Sequence, residues 1–203
     1  MQLRLVPGVL RGRSIDLEPY DDRLKEELRT VLNCDSEGWQ LFSTSGQGEH
    51  FENWWASISA NIVKGHWVAY AIRDLRSGAI VGTSSFLNIR PDRCSAEIGA
   101  TFLHPRVRSG YVNPEAKKLM LAHAFAQGAR RIELLTDLRN VRSQAAIAKL
   151  GAVREGVLRR DRQTWTGHIR DSVIFSVTDL DWPDVSRRLD ERLSAIPTPS
   201  NSA

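Results

Sequence analysis

The chain has 203 residues, 41% hydrophobic and 26% charged, with a formal net charge of +4. That length suits one good core or at most two small domains, and the composition is that of an ordinary soluble globular protein. No apolar run approaches a membrane span. The 24 acidic residues are interspersed with the 28 basic ones, so there is no segregated basic face for nucleic acid. Two cysteines, Cys34 and Cys94, make no disulfide framework, and nothing near them has metal-ligand spacing, so no metal is expected. The N-terminus lacks a long apolar segment and a small-residue cleavage site, which leaves a reducing cytoplasm as the expected setting. Only five basic residues are lysine. A mild positive bias dominated by arginine fits a small ligand bearing polyphosphate.

The elements follow in order. RSIDLEP (13–19) alternates like a strand and stops at Pro19. YDDRLKEELRTVLN (20–33) carries Leu24, Leu28, Val31 and Leu32 at helical spacing, with acids in its first turn. Residues 35–49 are rich in Gly and Ser and read as loop. HFENWWASISANIVKG (50–65) reads as a second amphipathic helix. Strands 66–74, 79–90 and 94–103 form a meander. A helix over 114–128 has apolar residues around more than one stripe, as expected for burial against a sheet. Strand 130–137, helix 141–151, a long hairpin of strands (about 153–165 and 168–178) turning at Gly167, and helix 181–193 complete the order. The result is an α/β chain of α+β type: one mostly antiparallel twisted sheet of about seven strands with a single β-α-β crossover. Residues 1–195 are expected to form one domain, with 196–203 a flexible tail.

The segment HPRVRSGYVNPEAKK (104–118) stands between the strand IGATFL and the 114–128 helix. Asn113 is a good N-cap, Pro114 suits the first helical position and Glu115 complements the helix dipole. Arg106, Arg108 and the Ser109-Gly110 pair add an anion site at the helix N-terminus. A plain βα loop with solvated arginines accounts equally well for the same residues.

Three segments in order, GRSIDLEPYDD (12–22), EIGATFLHPRVRSGYVNPEAK (97–117) and IELLTDLRNVRSQAAIAKLGAVREGVLR (132–159), resemble the GNAT acetyltransferase superfamily, and within it the RimJ/RimL-type N-acetyltransferases. The resemblance implies acetyl-CoA as cosubstrate, in a wedge between the strands on either side of the 114–128 helix, the splayed β4–β5 pair of that fold. It implies pantetheine along the strand ending Phe102-Leu103. The pyrophosphate would lie on the backbone N–H groups of Ser109, Gly110, Tyr111, Val112 and Asn113, with charge from Arg106 and Arg108. Asn140 would bond pantetheine. The superfamily loop is Arg/Gln-x-x-Gly-x-Gly/Ala, and this chain has Ser109 and Tyr111 at the two glycine positions. It also lacks the tyrosine seven residues after the Asn, where Ile147 stands. In RimL-like members a serine three residues after the Asn is the proposed acid, here Ser143.

Acetyl transfer to an amine needs a deprotonated, aimed nucleophile and a protonated leaving thiolate. Glu97, set among small apolar residues, can become a working base through burial, or can be a structural carboxylate. Ser143 and Asn140 can equally be a helix cap. Trp39, Trp54 and Trp165 fall where the family walls its acceptor site. They are expected to form either core or an aromatic pocket for an apolar, uncharged acceptor, and of the adjacent Trp54 and Trp55 one is expected to be exposed. Arg170 and Asp171 follow the hairpin turn, where the Asp can fix the hairpin or meet a cationic acceptor. The expected activity is direct acetyl transfer to a primary amine, on a protein N-terminus or a small molecule. A non-catalytic acyl-CoA-binding module is the alternative. No nucleic-acid or membrane partner is expected, and the resemblance leaves room for a homodimer.

Overall fold

The computed structural model describes residues 2–196. Among them eight strands form one sheet: β1 (Leu10–Arg11), β2 (Ile15–Pro19), β3 (Val68–Asp74), β4 (Ile80–Arg90), β5 (Ser95–Leu103), β6 (Arg131–Asp137), β7 (Val153–Gln163) and β8 (Ile169–Thr178). Their spatial order is β1-β2-β3-β4-β5-β6-β8-β7. Every neighbouring pair is antiparallel except β5 and β6, which flank the crossover. Seven strands were expected. The eighth is β1, a two-residue ladder on the edge, too short to show any alternation. The expected tail lies almost entirely outside the described residues.

Six helices cover the sheet: α1 (Lys25–Leu32), α2 (Ser36–Trp39), α3 (Phe51–Val63), α4 (Val112–Ala126), α5 (Val141–Ala148) and α6 (Trp182–Ser194). The single turn α2 lies inside the segment expected to be loop, and Asp35 caps it by accepting the Gly38 N–H. On one face Val112, Ala116, Met120 and Leu121 of α4, with Val185 and Leu189 of α6, bury Tyr70, Phe86, Ile98, Ile132 and Phe175 of the sheet. On the other face α1 and α3 bury a cluster of aromatic and aliphatic residues around Trp39, Phe51, Trp54 and Phe102. This second cluster has no member from β6, β7 or β8. On that face the far half of the sheet mixes polar side chains, Glu133, Asp137, Ser172 and Ser176, with the Leu135–Ile174 pair.

Both Trp54 and Trp55 are buried, contrary to the expectation that one would be exposed. Trp55 stacks on Tyr20, ring centroids 5.2 Å apart, while Trp54 meets the edge of Trp39 at 6.2 Å. The Tyr20 ring, contributed by the segment after β2, covers the side of α3 that a lone helix would leave to water.

Two irregularities in the β4–β5 ladder matter for function. Thr83 pairs with Phe102 and Ser85 with Gly99, so β5 carries an extra residue at Ala100, whose φ is +47°. Leu87 pairs with Glu97 and Arg90 with Ser95, so β4 carries an extra residue near Asn88, also at φ +47°. Each bulge resets which face the following side chains occupy. Ile98 faces α4, and after the bulge Thr101 faces it too, while Phe102 joins the opposite cluster.

Candidate active site

β5 and β6 pair only at Ser95–Arg131, Ala96–Ile132 and Glu97–Glu133. Beyond Glu97 they part, because β6 continues with β8 up to Asp137–Ser172 while β5 stays with β4 up to Leu103–Gly82. The β6-facing backbone of Ile98–Leu103 is thus left without a strand partner. It is an edge inside the sheet, with backbone groups not paired to another strand that an extended ligand can meet. The Phe102 side chain packs flat on Trp39 at 4.8 Å, so only its backbone is available for such pairing.

At the wide end of the wedge α4 and α5 both begin, each directing its positive N-terminus there. The α4 helix starts at Val112, with Tyr111 as cap, rather than after Asn113. Asn113 is inside the first turn, and Pro114 follows where a missing N–H costs nothing. The first main-chain bond is donated by the Glu115 N–H to the Tyr111 carbonyl, 3.0 Å. The preceding N–H groups, Tyr111 to Asn113, are the helix's orphan donors. Glu115 itself is buried and accepts the Arg13 and Ser14 N–H groups, so it anchors the β1–β2 turn to α4.

The two positions that depart from the family loop are accommodated differently. Ser109 holds φ at +64°, the conformation glycine would supply without strain. Tyr111 turns its side chain away from the loop. Its hydroxyl donates to Asp74 Oδ1 at 2.6 Å, and the Arg76 guanidinium lies 4.1 Å from its ring centroid. Burial and the Asp74 carboxylate push its phenol up to about 12. Arg108 is a strut: Nε donates to the Leu103 carbonyl at 3.0 Å, and the guanidinium pairs with Asp35. Arg106 is exposed and forms no ion pair among the described residues. His104 caps the short turn that precedes α4, Nδ1 accepting the Arg106 N–H at 3.2 Å.

At α5, Asn140 Oδ1 accepts the Ser143 N–H at 3.0 Å, so Asn140 is the helix cap. Ser143 contributes its N–H to that cap, and its half-buried hydroxyl has no partner among the described residues. Ile147 is core.

Glu97 occupies the vertex, at the last β5–β6 pair. It is buried, and burial raises its carboxyl above the usual range, an effect opposed by the Asn88 amide. Asn88 Nδ2 donates to Oε2 at 2.8 Å, from the bulge that turns it toward Glu97. The other oxygen lies over Gly99, where an added Cβ would stand 3.0 Å from Oε1.

A residue the sequence did not single out sits behind the wedge. Lys117 of α4 is 4% exposed. Its Nζ donates to Ser84 Oγ at 2.9 Å and Thr101 Oγ1 at 2.6 Å, with no carboxylate in the group. Burial lowers its ammonium to about 7. In the sequence it is one of two adjacent lysines on a helix, a pattern that normally means solvent.

The tryptophans divide unevenly. Trp39 is 1% exposed, and its Nε1 donates to the Leu32 carbonyl at 2.8 Å. It and Trp54 are core and offer no pocket wall. Trp165, 40% exposed, lies at the hairpin turn and ties it to the front segment through Nε1 to the Trp39 carbonyl, 3.0 Å. An aromatic acceptor pocket made by all three is therefore absent. Asp171 fixes the hairpin, accepting the Arg160 N–H at 2.7 Å.

Among the described residues no cluster of His, Cys, Asp and Glu could hold a metal, and no helix is long and apolar enough to cross a membrane. Compared with known families, residues 15–153 match the model of the acetyltransferase (GNAT) domain. A search of curated proteins finds no match. Among solved structures, an acetyltransferase from T. thermophilus, described as putative, is 34% identical with a TM-score of 0.82, covering 93% of this chain and 98% of its own. Another structure with the same description is 33% identical with a TM-score of 0.81, covering 98% of both chains. RimJ of Mycobacterium smegmatis, solved in complex with CoA-disulfide, shares the fold at 23% identity and a TM-score of 0.76, covering 95% and 93%.

Proposed function

Since the chain belongs to the GNAT acetyltransferase family, whose acyl donor is acetyl-CoA, we propose that it is a RimJ/RimL-type enzyme that acetylates a primary amine directly in a ternary complex. The observation that carries this reading is the buried carboxylate of Glu97 at the point where β5 and β6 part. The reaction forms a bond from the acceptor nitrogen to the acetyl carbon and breaks the carbon–sulfur bond; the nitrogen loses a proton and the departing thiolate gains one. Glu97 takes the acceptor's proton, through a water. Its raised affinity for protons makes it a more effective base near neutrality than an exposed carboxylate. The Ser143 hydroxyl supplies the proton to sulfur. The N–H groups at Ser109–Asn113 hold the pyrophosphate, the open backbone of Ile98–Leu103 holds pantetheine, and Asn140 both caps α5 and faces the pantetheine.

The two loop departures and the missing tyrosine favour a non-catalytic acyl-CoA-binding module. The loop weighs less for that reading than its sequence suggests, since Ser109 keeps a glycine-like backbone and Tyr111 directs its side chain elsewhere, while Ile147 still leaves the tyrosine position empty of an acid. The test is acetyl-CoA-dependent thiol release with a panel of amines. Glu97→Gln is expected to slow turnover about 100-fold or more while the protein still binds acetyl-CoA. The wild-type rate should fall as pH drops through the raised Glu97 value, because the base works only when ionised. A Glu97→Gln protein as fast as wild type rules out the assignment.

A further inference from the structure

Arg170 of β8 is 7% exposed, and its side chain makes no hydrogen bond or ion pair among the described residues. Its Nε is fully enclosed without an acceptor. Nη1 and Nη2 also lack partners but are not enclosed, so these atoms are the part of the fork that reaches the surface. The nearby carboxylates are already engaged. Asp137 accepts three bonds from Arg139. Asp161 accepts from Arg162 Nε and Ser172 Oγ, both 2.7 Å. Glu97 accepts from Asn88. Arg162, the register partner of Arg170 across the hairpin, brings a second positive charge to the same place.

A guanidinium largely enclosed, with its Nε cut off from water and from any acceptor, costs stability, and arginine cannot escape by losing its proton. Its position suggests what offsets that cost. The last β6–β8 pair is Asp137–Ser172, so Arg170 lies one step past the end of β6, at the open side of the wedge. It shares the face of Ser172, opposite the Val173 and Phe175 core, which is also the face of Glu97. Arg162 and Arg170 are both close enough to Glu97 to act on its charge.

We propose that Arg170, supported by Arg162, binds a carboxylate of the acceptor, so that the substrate is an amine carrying a carboxylate a few bonds from its nitrogen. The planar fork matches a carboxylate through two parallel bonds. The amine would then be held between this anchor and Glu97. The chemistry is shared by the α-carboxylate of a free amino acid and the side chain of an Asp or Glu at a peptide N-terminus. This inference rests on the acetyltransferase reading above.

The test is thiol release from acetyl-CoA with matched acceptors: alanine against alaninamide, glutamate against glutamine, and amidated tripeptides beginning with Asp or Glu against those beginning with Asn or Gln. The carboxylate member of at least one pair is expected to have a kcat/KM at least tenfold higher. The free amino acids and the peptides distinguish the two sources. Arg170→Met should raise KM for the preferred acceptor at least tenfold and abolish the preference. It should leave the affinity for acetyl-CoA unchanged. Arg170→Lys should recover part of the preference. Because the Arg170 side chain makes no hydrogen bond or ion pair among the described residues, Arg170→Met is expected to fold, and a variant that fails to fold contradicts the claim. Equal use of both members of every pair, a preference that survives Arg170→Met, or no turnover of any of them by protein that binds acetyl-CoA each overturns this inference alone. Absence of acetyl-CoA binding overturns the reading beneath it.

Discussion

The two ends of the wedge are built from different materials. At the wide end, at the start of α4, the groups proposed to meet the ligand are backbone N–H donors, and the side chains of Tyr111 and Arg108 look elsewhere: Tyr111 to Asp74, Arg108 to Asp35 and Leu103. At the vertex the structure gathers side chains instead, Glu97 with Asn88 in front and Lys117 behind, oriented by two bulges that contain no glycine at their left-handed positions. The difference explains how the loop can depart from its family's glycines and keep its shape. A backbone site tolerates new side chains provided they can turn away. A side-chain site tolerates few changes.

The sharpest way to break this comparison is to attack the backbone of the wide end. Ser109→Pro requires φ near −65° where the chain holds +64°, and it removes an N–H. Acetyl-CoA affinity, measured by calorimetry, should fall about 100-fold or more. If binding survives, the pyrophosphate is not held by this loop.

A second prediction concerns Lys117 and pH. Its folded value, about 7, lies below that of an unfolded lysine. Between the two, the unfolded chain binds a proton that the folded chain does not, so stability rises with pH. The slope from this group is at most about 1.4 kcal/mol per pH unit. Denaturant titrations from pH 7 to 9.5 should show wild type gaining on Lys117→Met over that window. The two proteins should run parallel below pH 6, where Lys117 is charged in both states. A constant difference throughout would mean that Lys117 keeps its charge in the folded protein.

The smallest effect is the converse of the first. Ser109→Gly relieves a left-handed residue and should stabilise the loop by about 1 kcal/mol, with acetyl-CoA binding equal or tighter. Weaker binding would show that the Ser109 side chain, and not the local backbone, contributes to the site.

Much of the fold could be read from periodicity, since alternation and helical spacing place every long strand and helix within a few residues of where it lies. The misses have physical causes. β1 and α2 are too short to have a period. Asn113 is a good cap by residue type, yet Tyr111 already has helical dihedrals and the helix begins at Val112. Tyr20, distant in sequence, covers the second tryptophan of α3. In the site, the vertex glutamate and the α4 loop are visible as residue types between a strand and a helix. The buried cations are not. Lys117 meets Thr101 only because an extra residue at Ala100 turns that threonine toward α4. Arg170 is enclosed where β6 ends and β7 carries two extra residues between Leu158 and Arg162. Bulges without glycine leave no mark in the sequence, so the faces beyond them cannot be assigned from alternation.

The most direct test of the account is a calorimetric titration of acetyl-CoA into wild type and Glu97→Gln, followed by addition of the amine panel to both. Saturable binding with the same affinity in the two proteins, and rapid thiol release from wild type alone, is the expected result. No binding at millimolar acetyl-CoA, or equal turnover by both proteins, would contradict it.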